Sequence, residues 1–238
     1  MNITIKLSKR VSFLHRKNRI LNLMAVRYRE RVTIKVYKKM VQMEERVRHL
    51  FGINIETKIA LADALSDTIA KAGQRLVNCL LGDGKILLCG NGGSSANCMH
   101  FASAMFNHFE VERPSLPVFN LSADTTSISS FANEHHYSQV FARQIQALGQ
   151  EQDVLLLLTT TGNSDSMLHA LQAANERGMD TIALSGRDGG VLATHLGPED
   201  MELRVASDSS ARIREMHLFI LHCFCDLIDQ SLFGQVLG

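Results

Sequence analysis

Two short polar stretches carry the residue types that could do chemistry in this chain. Gly90-Asn91-Gly92-Gly93-Ser94-Ser95 follows the apolar run 85–89 and precedes a helical pattern that reaches Met105. Glycines let a ligand approach the backbone closely, and the first turn of the helix behind them points free N–H groups at an anion. The spacing is neither Gly-x-Gly-x-x-Gly nor a Walker loop with its lysine. Taken alone, this loop reads as a glycine turn with a serine cap. The second stretch is Thr159-Thr160-Thr161-Gly162-Asn163-Ser164, after the apolar run 153–158. A turn does not need three consecutive hydroxyls. Together the two loops read as a cradle for a phosphorylated small molecule, built without metal or lysine. Its candidate residues are Gly92, Gly93, Ser94, Ser95, Thr159, Thr160, Thr161 and Ser164.

The elements that must position these loops follow from periodicity. Residues 85–89, 116–121, 153–158, 181–184 and 201–205 are short apolar runs, as expected of strands buried on both faces. Helical patterns alternate with them. One runs from Ile53 to about Leu81, with Leu61, Leu65, Ile69, Ala72 and Leu76 in one stripe. The last runs from Ser209 to about Leu232, with Ile213, Met216, Ile220, Phe224 and Ile228 in register. This alternation predicts an α/β fold with a five-stranded parallel sheet and helices on both faces, the first and last of them long. Ligands in such sheets bind at the carboxyl ends of the strands.

Composition narrows the class. The 238 residues have a formal net charge of +1 and are 45% hydrophobic, which excludes general disorder. No apolar run approaches the ~20 residues of a membrane span; 218–228 is interrupted by His222 and Asp226. Five cysteines without framework spacing read as reduced, cytoplasmic thiols, and Cys223-x-Cys225 as helix core.

The charge is divided. Residues 1–42 hold twelve basic residues against the single acid Glu30, a net of +11, and the remainder is −10. Residues 1–42 are therefore set apart as a basic extension, and 43–238 as the folded domain. The arm reads as a nucleic-acid arm, a targeting peptide, or a stretch upstream of a start at Met40 or Met43. We favour the third, since Met43-Glu44-Glu45-Arg46 makes a natural helix start. The acidic remainder argues against nucleic-acid binding by the domain itself. His135-His136, His108 and His195 read as surface. His217 faces either the pocket or a subunit interface.

The two loops, with Met99-His100-Phe101-Ala102 and Arg212-Ile213-Arg214-Glu215-Met216-His217, resemble a sugar isomerase (SIS) domain from about Met43 to Phe233. The nearest branches are the phosphoheptose isomerases and their paralogues, the DnaA initiator-associating proteins (DiaA). The resemblance implies a flavodoxin-like sheet and a homotetramer. In the isomerases it implies a zinc held by two His, a Glu and a Gln, with the Glu as base. Those positions here are His100, Ala104, Arg214 and His222, and Asn133-Glu134, in a loop, resembles the family's substrate-contacting Asn-Asp pair, which implies a place in the phosphosugar pocket. Ala104 can neither ligate nor accept a proton, and Arg214 brings a positive charge. The pattern implies remnant His100 and His222, no zinc or other cofactor, and no retained isomerase centre. The loops 112–117 and 196–200 and the ending 225–233 resemble DiaA. That likeness implies a cytoplasmic, DnaA-binding positive regulator of replication initiation, with Leu232 and Phe233 as the partner contact. The alternative is a working phosphoheptose isomerase acting on sedoheptulose 7-phosphate.

Overall fold

The structure is a computed structural model that describes residues 2–234, with side chains described from residue 39. The arm's basic side chains before Lys39 lie outside the described ones. Contacts divide the chain into two units, one ending at Ile55 and one beginning at Glu56. Helix α1 spans Asn2–Leu81. It therefore begins well before the 53–81 pattern, in keeping with residues 2–51, which contain neither proline nor glycine. In the first unit an Arg48–Glu44 ion pair one turn apart braces the helix surface.

The second unit contains the sheet. Its strands are β1 (Ile86–Gly90), β2 (Val118–Asn120), β3 (Val154–Leu158), β4 (Asp180–Gly186) and β5 (Met201–Val205). All pairings are parallel, in the order β2-β1-β3-β4-β5. This is the flavodoxin-like order, with its switch point between β1 and β3. The intervening helices are α2 (Gly93–Phe106), α3 (Thr125–Glu134), α4 (Val140–Leu148), α5 (Asp165–Glu176), α6 (Gly190–Ala193) and α7 (Ser210–Phe233).

Alternation along the strands builds two cores. Ile86, Leu88, Leu156, Leu158 and Ile182 face one side, where they pack with Leu76 of α1, Phe101 of α2 and Ile220 of α7. Leu87, Cys89, Leu155, Leu157 and Ala183 face the other, against Phe141 and Ile145 of α4 and Ala170 of α5. The starts of β1 and β3 are pinned by Asp153, which is 1% exposed. Its carboxylate accepts from the Lys85 and Gln150 backbone N–H groups and pairs with Lys85 Nζ at 2.6 Å. By length and composition α7 could cross a membrane, but Ile213, Met216, Ile220, Leu221 and Phe224 are fully buried in the core, which accounts for that composition. All five cysteines are free.

Candidate functional site

Because β1 and β3 are neighbours, with Gly90 opposite Leu158, the loops that leave their carboxyl ends emerge side by side. Asn91 ties them together. Its Nδ2 donates to Ser164 Oγ at 2.9 Å and to Ser166 Oγ at 2.8 Å. Ser94 is buried, Ser95 half-buried, and Gly92 and Gly93 exposed at the opening of α2.

The second loop folds on its own hydroxyls. Thr159 Oγ1 accepts from the N–H of Gly162 at 3.1 Å and of Thr161 at 3.5 Å, and Thr161 Oγ1 accepts from Asn163 N–H at 3.3 Å. A hydroxyl that accepts in this way still has its own O–H to donate, so the turn presents donors suited to an anion. Gly162 makes the turn possible. It has φ +67°, and a Cβ there would run into the Gly189 carbonyl oxygen. Gly162→Ala is expected to cost about 1–3 kcal/mol from the left-handed backbone alone. The clash adds to that, and phosphosugar binding is lost. Urea unfolding and calorimetry on the same samples check both effects.

Asn133 and Glu134 are exposed and close α3, whereas the sequence places Glu134 in a loop. Asp124 caps that helix, accepting from Thr126 and Ser127 N–H, and so carries the helical turns up to Glu134. The link from this segment to the pocket is made by Tyr137 instead, whose Oη donates to Asn91 Oδ1 at 2.8 Å. Sequence reasoning missed both residues. Asn91 was visible inside the glycine loop, but nothing in the sequence marks Tyr137. His108, His135, His136 and His195 are exposed, as expected.

His100, two turns into α2, meets His222 of α7 with Nε2 to Nε2 at 2.8 Å. One nitrogen must donate and the other accept, so the pair shares a proton. Burial pushes the His222 pKa down, the neighbouring His100 adds to the effect, and Glu110 opposes it. Ala104, one turn beyond His100, is buried and offers only a methyl group. His222 also lines an apolar groove of about 520 Å³ with Leu61, Ile69, Phe109, Phe219 and Leu227.

Arg214 occupies the sequence position at which the resemblance implies a metal-ligating Gln. Its side chain lies against the first loop: a Cβ on Gly93 would be 2.7 Å from Arg214 Cδ and Nε. Its carbonyl accepts from Asn97 Nδ2 at 2.9 Å, while its Nε is buried without a partner. Two imidazoles and a guanidinium do not fit a zinc, which takes three or four nitrogen, sulfur or oxygen donors. Among the described residues no group of three or more His, Cys, Asp or Glu converges for one.

His217 turns inward rather than to a pocket or an interface. It is fully buried and donates from Nε2 to the Ser185 carbonyl at 2.8 Å, leaving Nδ1 bare. Burial lowers its pKa from 6.5 to about 4, and Arg214 contributes. Its stabilising contribution is complete above pH 6.5 and is lost as pH falls toward 4, because the unfolded chain then binds a proton that the folded one refuses. The loss reaches roughly 3 kcal/mol. Urea unfolding between pH 7.5 and 4 should show this slope, reduced in His217→Gln.

Leu232 and Phe233 are half-buried. Leu232 packs on the core, and the Phe233 ring lies 6.0 Å from the Arg113 guanidinium carbon. The pair closes α7 over its own fold.

Residues 55–186 match the family model for the SIS domain. Two curated relatives are both named phosphoheptose isomerase. One, from Halorhodospira halophila, is 52% identical over 190 residues, covering 80% of this chain and 96% of that one. The other, from Shewanella sp. (strain W3-18-1), is 48% identical over 193 residues, covering 81% and 98%. The solved phosphoheptose isomerase from Francisella tularensis is 45% identical with a TM-score of 0.76, covering 78% of this chain and 97% of that one. The Neisseria gonorrhoeae enzyme is 39% identical with a TM-score of 0.75, covering 79% and 99%. These relatives overturn the reading of the chain as a DnaA-binding regulator of replication initiation. Near-complete matches at about half identity carry the isomerase name, so two changed positions, 104 and 214, do not set the chain apart from that branch.

Proposed function

We propose that this chain, which belongs to the SIS-domain family and to its phosphoheptose isomerase branch, is a cytoplasmic isomerase that interconverts ketose and aldose forms of a seven-carbon sugar phosphate. The observation that carries the reading is the His100–His222 contact at 2.8 Å, two turns along the helix that the first loop opens. Seven residues of helix span about 10 Å, a distance that an extended phosphosugar bridges.

The hydroxyls of Thr159, Thr160, Thr161 and Ser164 take the phosphate, with Ser94 and Ser95 across the pocket. Asn91, held by Tyr137, keeps the two loops in register. At neutral pH the lowered pKa of His222 keeps it neutral and able to accept a proton. It takes a proton from C1 of the ketose, giving an enediolate. The pair returns that proton at C2 while the O1 hydroxyl proton passes to O2, giving the aldose. This is general acid–base chemistry between neighbouring carbons. The apolar groove beside His222 suits the homotetramer that the resemblance implies, with a second copy covering it; light scattering tests that assembly.

Incubation with sedoheptulose 7-phosphate, followed by proton NMR, should produce an aldose 7-phosphate, and unphosphorylated sedoheptulose should not react. Failure to bind or convert the phosphate ester overturns the proposal. Ala104, which removes the expected carboxylate, favours a second reading in which the pocket binds a phosphosugar without turnover. Tight binding with no aldose formed would select it.

A further inference from the structure

The two loops assigned to the phosphate offer hydroxyls and helix N–H groups but contain no lysine or arginine. A cation reaches them from α7, whose first turns lie against both strand ends. On the side of the first loop, Asn97 of α2 donates to the Arg214 carbonyl at 2.9 Å. A Cβ at Gly93 would stand 2.7 Å from Arg214 Cδ and Nε and 3.2 Å from its guanidinium carbon. On the side of the second loop, a Cβ at Gly186 would stand 2.6 Å from Ile213 Cδ1 and 2.9 Å from the Thr160 carbonyl oxygen. Residue 213 therefore approaches the strand end beside Thr160, and residue 214 the opening of α2.

The Arg214 charge is uncompensated. No ion pair joins it to a carboxylate among the described residues, and Glu215, its neighbour on α7, pairs with Arg212 at 2.7 Å. Arg214 Nε is withdrawn from water and has no hydrogen-bond partner. A guanidinium N–H left in that state is costly. His217, one turn further on, feels the charge, which helps to lower its proton affinity. An orphaned donor on a cation, beside the open N–H end of a helix and a hydroxyl-rich turn, is chemistry suited to an anion.

We propose that Arg214 is the counter-charge of the phosphate subsite: its guanidinium holds the phosphate of the sugar ester at the opening of α2, and so selects a doubly charged ester over a singly charged one. The inference rests on the phosphosugar reading of the pocket. It puts Arg214 at the phosphate end, about two turns of α2 from the His100–His222 contact, where it binds substrate and takes no part in moving the proton. The hydroxyls after β3 orient the ester oxygens, and a neutral donor discriminates little between ester charges. Glycine at 93 serves the same end, since a side chain there would displace the guanidinium from the helix opening.

Calorimetry with the full chain at neutral pH tests this with sedoheptulose 7-phosphate and sedoheptulose 7-sulfate as probes. The two esters share a shape, but the phosphate carries about 1.5–2 negative charges and the sulfate one. The wild type should bind the phosphate at least about 10-fold more tightly than the sulfate, as expected of a charge-assisted contact. Arg214→Gln should weaken the phosphate by roughly 10–100-fold and bring the two esters within about 3-fold of each other. Arg214→Lys keeps the charge without the fork and should retain part of the preference. It guards against a variant that fails to fold, and the wild-type comparison needs no variant at all. A merely structural role for Arg214 would weaken both esters alike and leave their ratio intact. Equal affinities in the wild type, or a ratio undiminished in Arg214→Gln, overturn the inference and leave the phosphosugar reading standing. If the wild type binds neither ester, the phosphosugar reading fails and the inference falls with it.

Discussion

Arg113→Ala is expected to lower the unfolding free energy by about 3–5 kcal/mol, the range for breaking one half of a buried ion pair. Only 2% of the Arg113 side chain is exposed, and Nε donates to Asp229 Oδ1 at 2.7 Å. The other guanidinium nitrogens cap the end of α2. Nη2 donates to the Ala104 carbonyl at 2.9 Å, and Nη1 to the carbonyls of Met105 at 2.8 Å and Pro114 at 3.0 Å. Alanine at 113 leaves a buried carboxylate without its cation and helix-end carbonyls without donors. Asp229→Asn in the Arg113→Ala background should recover part of the loss, because the uncompensated charge is gone. Urea midpoints for the four members of this cycle measure it. The cut should also loosen the end of α2 beyond His100, so the histidine contact reports on the same clamp.

His222→Asn should reduce turnover of sedoheptulose 7-phosphate by about 10²–10⁴-fold, the usual contribution of a positioned proton carrier. Affinity for the phosphate ester should change little, since its anionic end is held by the loops after β1 and β3. Steady-state kinetics separate the two effects, with kcat falling and KM nearly constant. A matching rise in KM would instead mean that His222 holds substrate. His100→Asn is expected to behave alike, because a shared proton needs both rings.

The strands were legible in the sequence because a parallel strand buried on both faces is an unbroken apolar run. Thr181 to Leu184 marks β4 that way. The ladder, however, runs on through Ser185 and Gly186, which pair with Arg204 and Val205 although neither is apolar. The two loops were legible as a pair from their glycines and hydroxyls, but what joins them was not. Tyr137 approaches Asn91 only once the segment after α3 is folded. That helix, Thr-Thr-Ser-Ile-Ser-Ser-Phe-Ala-Asn-Glu, buries no residue fully and so carries no strong apolar stripe. His100 and His222 were visible as candidates, but their contact depends on how α7 lies along α2. The functional reading went astray at Ala104 and Arg214. Two substitutions point to the loss of an activity, while the remaining length of the chain is similar to relatives named phosphoheptose isomerase.

Proton abstraction from the sugar is the step on which the account depends, and deuterium exchange observes it directly. Sedoheptulose 7-phosphate is incubated with the protein in deuterium oxide, with chelator present, and NMR follows label at C1 of the ketose and C2 of the aldose. Enzyme-dependent label is expected at these positions, strongly reduced in His222→Asn and His100→Asn. Bound substrate that stays unlabelled in the wild type would contradict it and leave a pocket that holds a phosphosugar without moving its protons.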